Sequence, residues 1–261
     1  MIPIFIISLP HEIARQEKIA ARLSALGLEF SFFPATAKSD MQESDRAFYN
    51  ARRRRLSWGK DLYAGEIACM HSHKRIYEKM LAEHLPYALV LEDDCVLSDE
   101  FPQLLMALMA CPHQWHLVRF FGDAKHERRI YRKILQLSGS FWLARSNTMP
   151  SEAHCYLLDQ EAALRLTSCL RSVSEPIDSL MSQPWKTGLG VLTVTGKVAW
   201  QDKSLESAIG DQRFSGDLHV RGLERLGYYI LSPLARLRRN LFKRLWYYAA
   251  WPGDWLRKAR S

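Results

Sequence analysis

IPIFIISLPHEIARQEKIAARLSALGLEFSFFPAT, residues 2–36, decides the fold. Its first seven residues, IPIFIIS, are continuously apolar, the pattern of a fully buried strand. A helical period follows. Ile13, Ile19, Ala20, Leu23 and Leu26 fall on one face, and Gly27 stands just past the end, where a left-handed residue is expected. EFSFFPAT (29–36) reads as a second strand. Strand, helix, strand at this spacing is a βαβ opening and predicts an α/β protein with a parallel sheet.

Further on, YALVLEDDCVLSDEF (87–101) poses a chemical question. Tyr87, Ala88, Leu89, Val90 and Leu91 read as a core strand, yet it runs straight into Glu92, Asp93 and Asp94. The residues allow two readings. Either the strand surfaces in a solvated acidic loop, or the acids hold something positive. Ligands of open α/β sheets bind outside the carboxyl ends of the strands. A hard divalent cation takes one or two carboxylates together with substrate phosphates.

Other segments fill out the α/β pattern. GEIACMHSHKRIYEKMLAEH (65–84) predicts a helix; His71 and His73 cannot form a metal pair on it, because residues i and i+2 do not share a face. WHLVRFFG (115–122) predicts a strand, and SFWLARS (140–146) with EAHCYLLD (152–159) a β pair. EAALRLTSCL (161–170) predicts a short helix, EPIDSLM (175–181) a loop entering a helix, and GVLTVTGKVAW (190–200) a late strand region. Residues 37–63 read as polar and irregular. Their run Arg52 to Arg55 is a solvated face or, alternatively, an anion-binding loop for phosphorylated substrate.

Composition narrows the class. With 261 residues and 48% hydrophobic content, an ordinary core is available. The first residues lack the basic start and small-residue cleavage site of a signal peptide. Five cysteines, an odd number without C-x-x-C, predict buried thiols in a reducing compartment. Residues 221–261 hold ten Lys or Arg and two acids; the other 220 residues hold 26 of each sign. A neutral body with a basic end is not the pattern of a nucleic-acid binder.

Four stretches together resemble glycosyltransferase family 25, bacterial lipooligosaccharide galactosyl- and glucosyltransferases with relatives that modify collagen. They are FIISLP with Arg15 in the following helix; GEIACMHSH, with Gly65, Glu66, Cys69, Ser72 and His73; YALVLEDD; and AHCYLLDQEAALRL with EPIDSLM. QDKSLESAIGDQR (201–213) adds a fifth likeness. The resemblance covers roughly residues 4–215. His11 and Gln16 stand where the family usually has Arg, Cys155 where it has Ala, and Ala208 where an acid is common.

The resemblance implies a GT-A-like, single Rossmann-type domain over 1–215 that binds a UDP-hexose through Mn²⁺ or Mg²⁺ and transfers the sugar with inversion. Asp94 is then the expected direct metal ligand. Asp93 reaches the ribose or a metal-bound water, and Glu92 orients its neighbours or the donor. Ser8 and Leu9 lie where the nucleoside base should sit. Arg15, His73, His154 and Gln201 are further donor-contact candidates, with Arg15 alternatively covering the helix surface, His154 contacting the acceptor or standing as a structural His, and His73 pinning the helix; His219 is a late metal-ligand candidate. Inversion needs one general base; Asp178 is the first candidate, against a reading as a helix N-cap, and Glu66 the second.

The tail, 216–261, lies outside the resemblance. A helical reading puts Leu234, Leu237, Leu241, Leu245, Tyr248 and Ala249 on one side and Arg236, Arg239, Lys243 and Arg244 on the other, with Trp246, Trp251 and Trp255 as interfacial aromatics. This predicts a basic amphipathic helix on an anionic membrane, or an ordinary C-terminal helix packed on the body. The first suits a lipid-linked acceptor at the cytoplasmic face of a bacterial inner membrane. Two other functions compete. A metal-dependent phosphohydrolase would want an acid on the first strand, which has none; a non-catalytic nucleotide-sugar scaffold would not need Asp178.

Overall fold

The computed structural model describes residues 2–122, 129–148, 152–202, 204 and 218–259. In chain order the elements are β1 Ile4–Ser8, α1 Ile13–Ala25, β2 Ser31–Pro34, α2 Glu43–Arg46, α3 Ala51–Trp58, α4 Ala64–Ala82, β3 Tyr87–Glu92 and β4 Cys95–Leu97. Then come α5 Phe101–Met109, β5 Leu117–Arg119, β6 Tyr131–Ser138, β7 Phe141–Ser146, β8 Cys155–Asp159, α6 Gln160–Cys169, α7 Ile177–Met181 and α8 Pro184–Thr187. β9 Val191–Val194, β10 Ala199–Gln201, α9 Gly222–Ala249 and α10 Trp251–Ala259 complete the chain. Most of 201–213 lies outside the described residues, so the fifth family-like stretch is placed only at Gln201, Asp202 and Ser204.

The strands form one eight-stranded sheet in the order β2-β1-β3-β8-β5-β9-β7-β6, and β4 and β10 form a separate pair. Successive residues of β1 and β3 point to opposite faces. Ile4, Ile6, Leu89 and Leu91 join a core with Ile19 and Leu23 of α1 and Phe101, Leu104 and Leu108 of α5. Phe5, Ile7, Ala88 and Val90 join a second core with Met70, Ile76 and Met80 of α4 and Leu166 of α6. Helices on both faces explain why these strands read as unbroken apolar runs.

The βαβ opening forms as expected: β1 is parallel to β2 and to β3, and Gly27 takes φ +66°. The sheet as a whole is mixed. β8 enters antiparallel between β3 and β5, and β7 is antiparallel to β9. The predicted pairing of 140–146 with 152–159 does not occur. β7 instead makes a hairpin with β6, closed at Gly139 with φ +48°, while β5 and β9 separate it from β8. Periodicity marks strands but carries nothing about which non-local partner a strand chooses.

The segment 37–63 is more regular than its polarity predicts. Its arginine run lies on α3, started by the Asn50 side chain, which accepts from Arg53 N–H at 2.9 Å. Arg52 and Arg53 are exposed, Arg54 is buried, and Arg55 pairs with Glu224 of α9 at 2.9 Å.

The tail is seated on the body with its polar side inward. Ser232, Arg239 and Lys243 recur at helical spacing on the side that faces the body. Arg239 stacks over Trp58 at 4.4 Å and Lys243 is half-buried, so these two cations are not outward-facing as the helical reading expected. Leu234, Leu237, Leu241 and Leu245 are 56%, 66%, 51% and 54% exposed, and Arg236, Arg244, Trp251 and Trp255 are also exposed, whereas Trp246 is half-buried. The apolar stripe therefore does not pack on the domain. At the far end Asp254 is buried and takes Arg145 at 2.7 and 2.8 Å and Arg132 at 2.9 Å. Among the described residues, no helix is long and apolar enough to cross a membrane.

Candidate active site

Ile7 pairs with Glu92, so β1 and β3 end on the same edge of the sheet. β8 runs the other way, and Glu92 N–H donates to the carbonyl of His154 just before β8 begins. One edge thereby collects Ser8, Glu92 and His154. The chain then turns through Asp93 and Asp94 and returns as β4. Because β4 pairs with β10, Gln201 Nε2 comes to 3.5 Å from Asp94 Oδ2, and Asp202 N–H donates to the Asp94 carbonyl at 2.8 Å.

A cation from α1 meets these acids. The inward face of α1 is Arg15, Ile19 and Leu23, at i, i+4 and i+8, and Ile13 lies off that face and is exposed. Arg15 Nη2 stands 3.0 Å from Asp93 Oδ1 and 3.3 Å from Asp94 Oδ2. One guanidinium does not balance three carboxylates. Burial first, and then the Glu92 charge, push the Asp94 carboxyl up to about 7 against the pull of Arg15. Burial also raises Asp93, opposed by the Ser8 hydroxyl and Arg15. Burial acts upward on Glu92 too, but His73, His154 and Arg15 outweigh it and hold that carboxyl below its ordinary value. Asp94 Oδ1 is buried with no hydrogen-bond partner. A carboxylate cluster short of positive charge, with one orphaned oxygen, fits a hard divalent cation.

α4 and β8 supply the floor. His73 is fully buried, with Nδ1 2.7 Å from Tyr156 Oη, which in turn lies 3.0 Å from Tyr77 Oη. His73 Nε2 is 3.4 Å from Glu92 Oε1, without the alignment of a formed hydrogen bond. His71 turns elsewhere, to Thr36 Oγ1 at 3.0 Å, as its spacing requires. Cys69, His73 and Glu92 bring three potential ligand atoms within 4.8 Å of one another. Burial holds the Cys69 thiol well above its usual value. Neither ring nitrogen of His154 makes a formed hydrogen bond; Glu152 lies 3.7 Å from Nδ1, and burial lowers the imidazole's proton affinity.

Asp178 occupies the first turn of α7, where the N-cap is Pro176, so the N-cap reading of Asp178 does not hold. Its Oδ1 accepts from Ser179 N–H at 2.5 Å. Burial raises its carboxyl to about 6, opposed by Arg119 and assisted by the charges of Glu92 and Glu66. Arg119 is wholly buried at the end of β5. It donates to the Asp178 carbonyl at 3.2 Å, to Ser182 Oγ at 2.6 Å and to the Glu152 carbonyl. Sequence reading alone does not single out Arg119. Its signal is a cation inside the apolar strand LVRFF, which must find buried partners.

Three candidates are placed less directly. Leu9 uses its backbone carbonyl to accept from Gln16 Nε2 at 2.9 Å. Glu66 accepts from Tyr63 N–H at 2.9 Å and so closes the first turn of α4. His219 lies against the 59–63 loop, where Nδ1 accepts from Asp61 N–H at 3.0 Å; none of its described contacts is with Asp93 or Asp94.

Residues 1–181 match the family model described as glycosyltransferase family 25, LPS biosynthesis protein. The chain belongs to glycosyltransferase family 25. This family 25 chain is 30% identical over 230 residues to the lipooligosaccharide biosynthesis protein lic2B of Haemophilus influenzae, covering 80% of this chain and 82% of that one. It is 35% identical over 166 residues to the lacto-N-neotetraose biosynthesis glycosyltransferase LgtE of Neisseria gonorrhoeae, covering 60% of this chain and 56% of that one. A glycosyltransferase 25 family member of Aedes aegypti is 30% identical over 162 residues, 59% of this chain and 25% of that one. The chain thus spans about a quarter of the length of its insect relatives.

Proposed function

We propose that the protein transfers a hexose, galactose or glucose, from a UDP-sugar to a lipooligosaccharide or lipopolysaccharide core acceptor, with inversion, on a GT-A-like domain. The observation that carries this is the orphaned, buried Asp94 oxygen beside two further carboxylates at the tip of β3. Asp94, with Asp93 beside it, would hold Mn²⁺ or Mg²⁺, which would supply electrostatic stabilisation of a diphosphate leaving group. Arg15 holds the two aspartates in register. Ser8 and the Leu9 backbone form the end of β1, where the nucleoside enters, and Glu92, His73, His154 and Gln201 line the donor side. Asp178 takes the proton of the acceptor hydroxyl as that oxygen bonds the anomeric carbon and the bond to the diphosphate breaks. Arg119 fixes the backbone of α7 beneath it.

Calorimetric titration of UDP tests the donor reading. Binding to the wild type is expected to need Mn²⁺, and Asp94→Asn is expected to weaken it at least ~10-fold, the cost of losing one charged contact in a desolvated site. UDP binding that is equally tight without metal would remove the diphosphate clamp.

The tail suits a peripheral position at the cytoplasmic face of a bacterial inner membrane. Its exposed leucines alternate with the cations Arg236 and Arg244, and Trp251 and Trp255 are placed for the interface. Leu237→Glu with Leu241→Glu is expected to release the protein from anionic vesicles in sedimentation without changing its melting temperature, since both side chains are already in water. Unchanged vesicle binding would leave the stripe for a protein partner.

A further inference from the structure

A cavity of about 530 Å³ lies between α3, α9 and the segment that runs from Glu175 to Lys186. That volume falls in the range of small-ligand sites. Its wall holds five cations, Arg52, Arg53, Lys186, Arg238 and Arg239, against the single carboxylate Glu175. Lys186 pairs with Glu175, so this one carboxylate is shared and leaves the wall with a surplus of positive charge. Among the described residues, no carboxylate stands within ion-pair distance of the four arginines. They come from two helices and stand 185 to 187 residues apart in sequence, and only the docking of α9 on α3 brings them together. The Trp58 ring takes Arg54 at 4.8 Å and Arg239 at 4.4 Å, and the second contact holds Arg239 in place before any ligand arrives. Four guanidinium groups without a carboxylate partner around one opening make a positive wall that favours an anion, and guanidinium forks suit the oxygens of a phosphoryl group.

The cavity is distinct from the acidic edge of the sheet, yet it adjoins it. Glu175 lines it, and three residues later the same segment presents Asp178. The buried Arg54 on α3 feels the charges of Glu175, Glu66 and Asp178. Resting on the reading of a glycolipid acceptor, we propose that this cavity is a phosphoryl-binding subsite that holds an anionic group of the acceptor while a nearby hydroxyl reaches Asp178. The phosphoryl chemistry has two possible sources, a phosphate on the acceptor glycan or the phosphate of a bilayer headgroup.

Arg52→Gln with Arg53→Gln separates the possibilities, because both side chains are exposed and belong neither to the sheet edge nor to the tail. Glucose 6-phosphate, titrated without metal and with glucose as the neutral control, is the soluble probe. The expected result is at least a tenfold rise in Kd in the double variant and less than a twofold change in Asp94→Asn. Sedimentation with phosphatidylglycerol vesicles assigns the source. Vesicle binding that stays intact in the double variant supports a phosphate on the acceptor glycan. A parallel tenfold loss supports the headgroup at the same site. Equal glucose 6-phosphate binding in wild type and double variant would overturn the subsite, as would loss in Asp94→Asn with retention in the double variant, which would place the anion at the sheet edge. Failure of UDP to bind while glucose 6-phosphate still does would sink the transferase reading and leave the cavity standing.

Discussion

Asp178→Asn is expected to lower kcat for sugar transfer by ~10²–10⁴-fold, the contribution of one positioned general base. Metal-dependent UDP binding should be retained, because Asp178 lies outside the Arg15, Asp93 and Asp94 cluster. In the wild type, kcat should climb as pH rises through about 6, where Asp178 loses its proton, and the variant should lose that limb. Stability should move the other way. Raised from 3.8 to about 6, this carboxyl holds its proton more tightly in the fold than in the unfolded chain. Ionising it weakens the fold between those two values, and the full cost is present above pH 6. The variant escapes that cost. Its melting temperature at pH 8 is expected to equal or exceed the wild type while turnover falls, a stability–activity trade-off. If melting temperature and turnover drop together, Asp178 is a structural residue and the base must be sought elsewhere.

Asp254→Ala is expected to destabilise the protein by ~3–5 kcal/mol, the cost of removing one partner from a buried ion pair. Asp254 is 2% exposed and is the shared acceptor of Arg145, Arg132 and Arg257. Arg145 is 4% exposed, so it would be left as an uncompensated buried charge. The readouts are denaturant unfolding and the rate of tryptic cleavage within α9, which should rise as the end of the tail detaches. Adding Arg145→Met should restore part of the stability, because it removes the orphaned charge. A double variant no better than Asp254→Ala would mean that the ion cluster does not hold the tail.

The opening βαβ unit, the site of the three carboxylates and the course of α4 were legible because each is written locally, in periodicity and in a run of like charges at a strand end. Asp178 was legible as chemistry but not as geometry. Only the position of Pro176 shows that it is not an N-cap. Arg15 illustrates a different limit. It stands one and two turns before Ile19 and Leu23 and so shares their inward face, whereas Ile13 lies off it; what the helical period does not carry is that this face meets Asp93 and Asp94 at its first turn. The mixed sheet was not legible, since β8 is as apolar as a parallel strand and takes its direction from the partners on either side.

By itself the sequence determined the α/β class, the acids at the end of β3 and a helix at the C-terminal end, because hydrophobic period and like-charge clustering are properties of neighbouring residues. The tertiary structure decided which of those residues meet. It set Arg15 between Asp93 and Asp94, put Arg119 under Asp178, turned the leucines of α9 outward and drew the arginines of α3 and α9 around one cavity. These are encounters between side chains up to 187 residues apart, and their energies depend on distance and burial, which no local pattern carries.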